Sequence, residues 1–360
     1  MTSMRRRAAS FLPMLAGALM FAWPAVPAAA QQSGKPDKKQ QQRLEQAQRQ
    51  DLQALMQLAD QAMRSEPVPT DIPLQFHNDF LKAQENRTYV PFILTFDPAA
   101  LSTRSVSLYV RVAPRGATAP AAASDKDGKK DKDKQPPAPA YPFEDVHHID
   151  VEAPAPGQPA HVSRAFAVPA GDYDVYLVMR ERNVANGAAP RATVLKEAIT
   201  VPNFWSTDLT TSSVILADRV DALSAPLSRD QQVDHPYALG QSDIKVAADA
   251  KFAKNEELSV VFLIYNPAFA SDGKFDLQAD YAFYRKTSDG EQYFNRTEPQ
   301  RFNKEVLGPQ FDLAAGHQLV AGQAVPLAGF PEGDYRLEIK VTDLVSGKTL
   351  TRNVNFTVTS

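Results

Sequence analysis

Cysteine is absent from all 360 residues. That excludes disulfides, thiol catalysis and thiolate metal ligands, and it excludes a lipid anchor of the kind that needs a cysteine at a cleavage site. An exported chain of this composition is held together by its core alone. Basic charge is not in excess either: 39 Lys and Arg stand against 42 Asp and Glu, a net charge of -3. Nucleic-acid binding as a main role wants a basic face, so this balance argues against it. Beyond the first thirty residues no apolar run approaches the ~20 residues that a membrane-spanning helix needs.

Catalytic fingerprints are missing as well. Ser346-Gly-Lys-Thr349 matches the end of a phosphate loop, but Thr342 stands where that loop needs its first glycine. Ser242-Asp-Ile-Lys245 and Ser271-Asp-Gly-Lys274 have the S-x-x-K spacing of acyl enzymes without their companion motifs, and no G-x-S-x-G occurs. A lysine–aspartate tract, 125–134, puts Lys129 where a calcium loop needs an oxygen ligand and Gly128 two positions early. Glu144-Asp-Val-His-His-Ile-Asp150 is the densest set of metal-ligating side chains. On a strand, His148 and Asp150 share one face and Asp145 and His147 the other, so neither face offers three close ligands. The segment reads as an exposed polar strand edge, and no metal or cofactor is expected.

What is present begins with a leader. Arg5, Arg6 and Arg7 precede an apolar stretch, 11–26, which is interrupted by Pro13 and Pro24; Ala28-Ala-Ala30 then makes a small-residue cleavage site before Gln31. The expectation is a signal peptide over 1–30, removed on export by the general secretory route. Its loss takes three arginines with it and brings the net charge to -6. Next comes a Gln-rich charged segment, 31–66, with Leu44, Leu52, Leu55, Ala59 and Met63 at three- or four-residue spacing. That is a narrow amphipathic helix ended by Pro67 and Pro69 and expected to pack weakly on the first domain.

From Ile72 the period changes to two. In Ser105–Val112, Val106, Leu108, Val110 and Val112 share one face while Ser, Tyr and Arg occupy the other, as in a half-buried antiparallel strand. The segment 114–142 is Ala/Pro-rich and charged, with almost nothing apolar, and is expected to remain disordered. Short β-type runs then continue to the end, and they include an expected strand over 209–216.

Two of these runs repeat. Pro169, Gly171, Asp172 and Tyr173 recur as Pro331, Gly333, Asp334 and Tyr335 at an offset of 162; Phe96-Asp-Pro-Ala99 recurs as Tyr265-Asn-Pro-Ala268 at an offset of 169. The Gly-Asp-Tyr element resembles the tyrosine corner of bacterial immunoglobulin-like and fibronectin-type sandwiches. The resemblance covers about 70 to 360 and implies structural roles for Tyr173 and Tyr335, whose hydroxyls would bond back to the chain at the corner. It implies no function, because such sandwiches host many.

The expected architecture is all-β: two tandem Ig-like/fibronectin-type β-sandwiches, 67–204 with the insertion 114–142 and 205–360, preceded by the signal peptide and a short helix. Phe204 and Trp205 fall at the junction and read as a wedge between the units. Tyr284, Tyr293 and Phe294, on one hairpin, form a candidate platform for stacking on sugar or peptide. The functional expectation is an exported, non-enzymatic binding or scaffolding protein of the bacterial cell envelope, periplasmic or secreted. Its partner would be an envelope protein or glycan, with no nucleic acid and no membrane span after signal cleavage. The alternatives are a carbohydrate- or peptide-binding accessory module and an enzyme whose residues are scattered in sequence.

Overall fold

Strands dominate the computed structural model, which describes residues 38–119, 141–185 and 188–360. The expected signal peptide, 1–30, and residues 120–140 of the insertion lie outside the described residues. The chain divides into two compact units at Gln48/Arg49. Among the described residues the first unit holds only the opening turns of helix α1 (Lys38–Met63).

The second unit contains eight strands in its first part: β1 (Gln75–Asn78), β2 (Leu81–Lys82), β3 (Thr88–Phe96), β4 (Ser105–Pro114), β5 (Phe143–Asp150), β6 (Ala160–Val168), β7 (Gly171–Glu181) and β8 (Ala192–Val201). One sheet has β3 at its centre, with β1 and β2 on one side and β6 on the other; its partner runs β5-β4-β7-β8. Phe92 and Leu94 of the first sheet meet Val110, Val175 and Leu177 of the second in one buried core, so the pair is a sandwich.

A second sandwich comes next, with β9 (Thr210–Thr211), β10 (Ile215–Ala222), a short helix α2 (Arg229–Gln232), β11 (Ala238–Leu239), β12 (Ser242–Val246), β13 (Lys251–Ala253) and β14 (Glu257–Tyr265). It is completed by β15 (Asp276–Thr287), β16 (Gly290–Arg296), β17 (Gln300–Asn303), β18 (Leu319–Pro326), β19 (Gly333–Asp343) and β20 (Thr349–Thr359). Its central pairings repeat those of the first: β10-β14-β18 corresponds to β1-β3-β6, and β16-β15-β19-β20 to β5-β4-β7-β8. The strand expected over 209–216 is split, because the Ser213 amide donates to Phe80 O and the Ser212 hydroxyl accepts from the Leu263 amide.

The duplicated motif sits at the same place in both sandwiches. Tyr173 donates its hydroxyl to Pro169 O at 3.1 Å, and Tyr335 donates to Pro331 O at 2.6 Å. Gly171 and Gly333 hold φ of 157° and 137°, where a side chain would strain the backbone. Each hydroxyl replaces a bond to water, so Tyr173→Phe or Tyr335→Phe is expected to lower stability by about 1 kcal/mol in denaturant unfolding. A change near zero in both would remove the corner's role.

The same strands end on a second shared device. Glu181 and Asp343, the last residues of β7 and β19, are each 1 % exposed. Glu181 accepts the backbone N–H groups of Ser102, Thr103 and Arg191; Asp343 accepts those of Ala268, Val345 and Ser346. Each carboxylate therefore ties the loop after the central strand to the loop after its own strand.

Helix α1 departs from the sequence expectation of weak packing. Leu55 and Ala59 are fully buried, with Met63 close behind, against Tyr109, Val178 and Val194 on the outer face of β4, β7 and β8. The strand β4 is thus covered on both faces, not half-buried. Leu52 stays exposed, and the acidic residues Asp51 and Asp60 face the sheet instead. Asp51 pairs with Arg180 at 2.6 Å and accepts the Ser107 hydroxyl; Asp60 pairs with Arg111, whose Nη2 also reaches Glu144 at 2.9 Å. The Arg111 side chain is only 2 % exposed. The helix ends where Ser65 takes a left-handed φ of 57°, just before Pro67.

Candidate functional site

Edge strands of a sandwich normally place apolar residues on their inward face. β5 and β6 do not. On β5 the inward register runs Phe143, Asp145, His147, Ile149, with Phe143 and Ile149 packed against the core. On β6 it runs Val162, Arg164, Phe166. Three ionisable groups thus occupy core-facing positions on the side where the two sheets part. The opposite face of β5 is engaged too: Glu144 reaches Arg111, and His148 Nδ1 lies 3.0 Å from the Ser107 hydroxyl. The segment is the polar edge strand that the sequence predicts, with Glu144, Asp145, His148 and Asp150 exposed, but His147 is turned inward.

Arg164 is 7 % exposed. Its Nη1 donates to Ser163 O at 2.7 Å and its Nη2 pairs with Asp234 at 2.9 Å, but its Nε has no partner. His147 Nε2 is likewise buried without a hydrogen bond; the nearest carboxylate, Asp145, is 3.6 Å away. Burial pulls His147 below the ordinary imidazole range, against the upward influence of Asp145. Burial also lowers Arg164, with Asp234 acting in the other direction. An unpaired buried donor normally costs about 1–3 kcal/mol, so two of them in one place need a reason.

Both groups line a cleft of about 560 Å³ where the two sandwiches meet. Its floor and walls are largely apolar: Leu81, Tyr89, Leu239, Leu263 and Tyr265 contribute. The volume lies in the range of small-molecule and short-peptide sites. Around the cleft the junction is firm. Ile93 of β3 packs on Ile215 and Val261, and the Tyr237 hydroxyl donates to Asp79 at 3.0 Å. The segment after α2 supplies Asp234 from the second sandwich to Arg164 of the first. Lys82, also on the cleft wall, is lowered by burial. Its Nζ donates to Asn266 Oδ1 at 3.3 Å and lies 4.4 Å from the Trp205 ring centroid. Among the described lining residues there is no serine, threonine or cysteine to act as a nucleophile. Arg164 and His147 present hydrogen-bonding nitrogens beside an apolar surface.

The residues singled out by sequence are placed elsewhere. Tyr284 and Tyr293 meet edge to face at 5.9 Å on the outer side of the β15–β16 hairpin. Arg336 lies 4.3 Å over the Tyr284 ring and covers that face. Phe294 does not join them. The ladder shifts between Phe283 and Tyr284, which leaves Phe294 as the extra residue of a bulge, and its ring turns to Phe330 at 4.9 Å in the core. At the junction the buried ring is Phe204, packed with Leu81, Leu263 and Tyr265. Trp205 is 44 % exposed and donates Nε1 to Arg87 O. Sequence reasoning passed over Arg164, although a charged residue at an apolar register position, Val162-x-Arg164-x-Phe166, was a usable signal.

No protein-family model matches the chain, and no curated protein matches it. Solved structures that overlap it include trypsin-activated alpha-2-macroglobulin from Escherichia coli, 9% identical over 81% of this chain, with a TM-score of 0.21. A Salmonella alpha-2-macroglobulin mutant overlaps at 14% identity, again over 81% of this chain, with a TM-score of 0.19. The chain spans 17% of the length of each. Scores of this size assign neither family nor activity, and the molecule's own geometry stands as the guide to its function.

Proposed function

We propose that the chain is an exported, non-catalytic binding module of the bacterial cell envelope, built of two Ig-like sandwiches, whose partner enters the cleft at their junction. One observation carries this reading: Arg164 Nε and His147 Nε2 are buried without partners in the wall of a single cleft. Inward-facing charges on edge strands also deter edge-to-edge pairing, but any charge serves that purpose and it leaves the two donors unexplained. The leader at 1–30 supports export to the periplasm or beyond. The repeated corner and the central pairing order shared by the two sandwiches support the Ig-like reading.

The test uses a photo-crosslinking residue in place of Gln84 or Ala165, both on the cleft, and in place of Thr351, on the exposed face of β20. Crosslinks to an envelope component are expected from the two cleft positions and not from Thr351. Equal labelling from all three, or none from the cleft, would reject the reading.

A further inference from the structure

We infer that the cleft recognises a carboxylate carried on an apolar body, received by Arg164 Nε and His147 Nε2 in exchange for the internal carboxylate of Asp234. This rests on the cleft being the binding site and goes further by naming the ligand's chemistry.

A guanidinium presents Nε and one Nη as a parallel pair that fits the two oxygens of a carboxylate. Arg164 uses only half of that edge. Its Nη2 meets Asp234 at 2.9 Å, while Nε beside it meets nothing. Asp234 is a loosely held occupant: its side chain is 67% exposed, against 9% for that of Arg164. It also comes from the segment after α2, next to the lining residues Gln232 and Val233, and its exposure lets it swing into water. An incoming carboxylate would take both nitrogens and leave Asp234 solvated.

His147 supplies the second donor. Its Nε2 has no acceptor within hydrogen-bond reach, since Asp145 at 3.6 Å is too far. A neutral ring protonated on Nε2 donates one hydrogen bond. The charges on the lining favour an anion: Lys82, Arg164 and Arg229 stand against Asp145 alone. Lys82 makes no ion pair among the described residues; its Nζ bonds to Asn266 and lies over the Trp205 ring. One planar carboxylate matches the donors present. The rest of the wall, with Leu81, Val233, Leu239, Leu263 and Tyr265, asks for an apolar body.

Two sources share this chemistry, a peptide C-terminus with apolar final residues and a fatty acid. The test titrates the full chain, by calorimetry, with N-acetyl-leucyl-alanyl-phenylalanine, with its C-terminal amide, and with decanoate. At least one of the two acids is expected to bind. If the tripeptide is the one, its amide should bind about tenfold more weakly or worse, the scale of one charge-assisted hydrogen bond. Binding of the peptide acid alone assigns a peptide; binding of decanoate alone assigns a fatty acid. Arg164→Gln should weaken the acid at least tenfold at an unchanged melting temperature. Asp234→Asn should tighten it, because the internal rival is gone, and it decides the matter alone if Arg164→Gln does not fold. Equal binding of peptide acid and amide, or weaker or unchanged binding by Asp234→Asn, overturns the inference. If neither acid binds while the cleft still crosslinks an envelope component, the carboxylate inference falls and the binding module stands. If the crosslinks fail too, both fall.

Discussion

Replacing Asp343 with alanine is expected to destabilise the second sandwich by about 4 kcal/mol, because three backbone donors lose a charged acceptor at once. The carboxylate receives Ala268 N–H at 2.7 Å, Val345 N–H at 3.0 Å and Ser346 N–H at 3.1 Å, and no water replaces it at 1 % exposure. Glu181→Ala should act alike in the first sandwich, where Arg191 N–H donates at 3.0 Å and the Ser102 hydroxyl at 2.9 Å. Denaturant unfolding reads both effects, and a loss under ~1 kcal/mol would show the loops to be held by other contacts. Glu181 adds a pH signature. Burial alone would raise its carboxyl, but the amides of Arg191 and Ser102 bring it below its ordinary value of 4.5. A depressed folded-state value means a contribution fully present above pH 4.5 and lost as pH falls through the lowered value. Glu181→Gln should flatten the acid limb of the stability curve and leave its neutral plateau lower.

Replacing Arg111 with alanine is expected to loosen helix α1 and lower stability by about 3 kcal/mol, the low end for breaking a buried ion pair. Asp60 and Glu144, each with a side chain 31% exposed, would face one another without the cation between them. Partial exposure lets water relieve some of that penalty, which is why the low end applies. Arg111→Met keeps much of the aliphatic stem and should behave almost as badly, since the charge is the cause. Combining Arg111→Met with Asp60→Asn and Glu144→Gln removes the stranded charges and should recover most of the loss. Limited proteolysis supplies an independent readout: cleavage within 49–63 should accelerate in the single mutant and slow again in the triple. Equal protection in all three would mean that Leu55 and Ala59 hold the helix alone.

Much of this architecture could be read from the chain. Period-two alternation in 105–112 marked a strand, Pro67 marked the end of a helix, and the repeated Pro-x-Gly-Asp-Tyr marked the doubled sandwich. Those signals are local, set by residues a few positions apart. The Glu181/Asp343 pair escaped notice although it obeys the same offset of 162 as the tyrosines. The two residue types differ, and a carboxylate at a strand end reads as solvated until the loops that donate to it are in place. Phe294 was misplaced for a different reason: the platform grouped it with its neighbour Tyr293, although adjacent strand residues point to opposite faces, and its ring packs on Phe330 in the core.

Pattern and turn chemistry were enough to establish an all-β chain with a duplicated corner, because alternation and glycine turns act within a strand or a hairpin. Which polar faces are buried was decided only by the fold. Arg111 lies in a strand whose sequence shows one apolar face, and its second face is covered by a helix that contributes Asp60 from 51 residues upstream. Arg164 and His147 sit on edge strands of opposite sheets and share a cleft only because the second sandwich closes over that side. Burial of a charge is a property of whatever comes to cover it, and that covering surface is assembled from segments far apart in the chain.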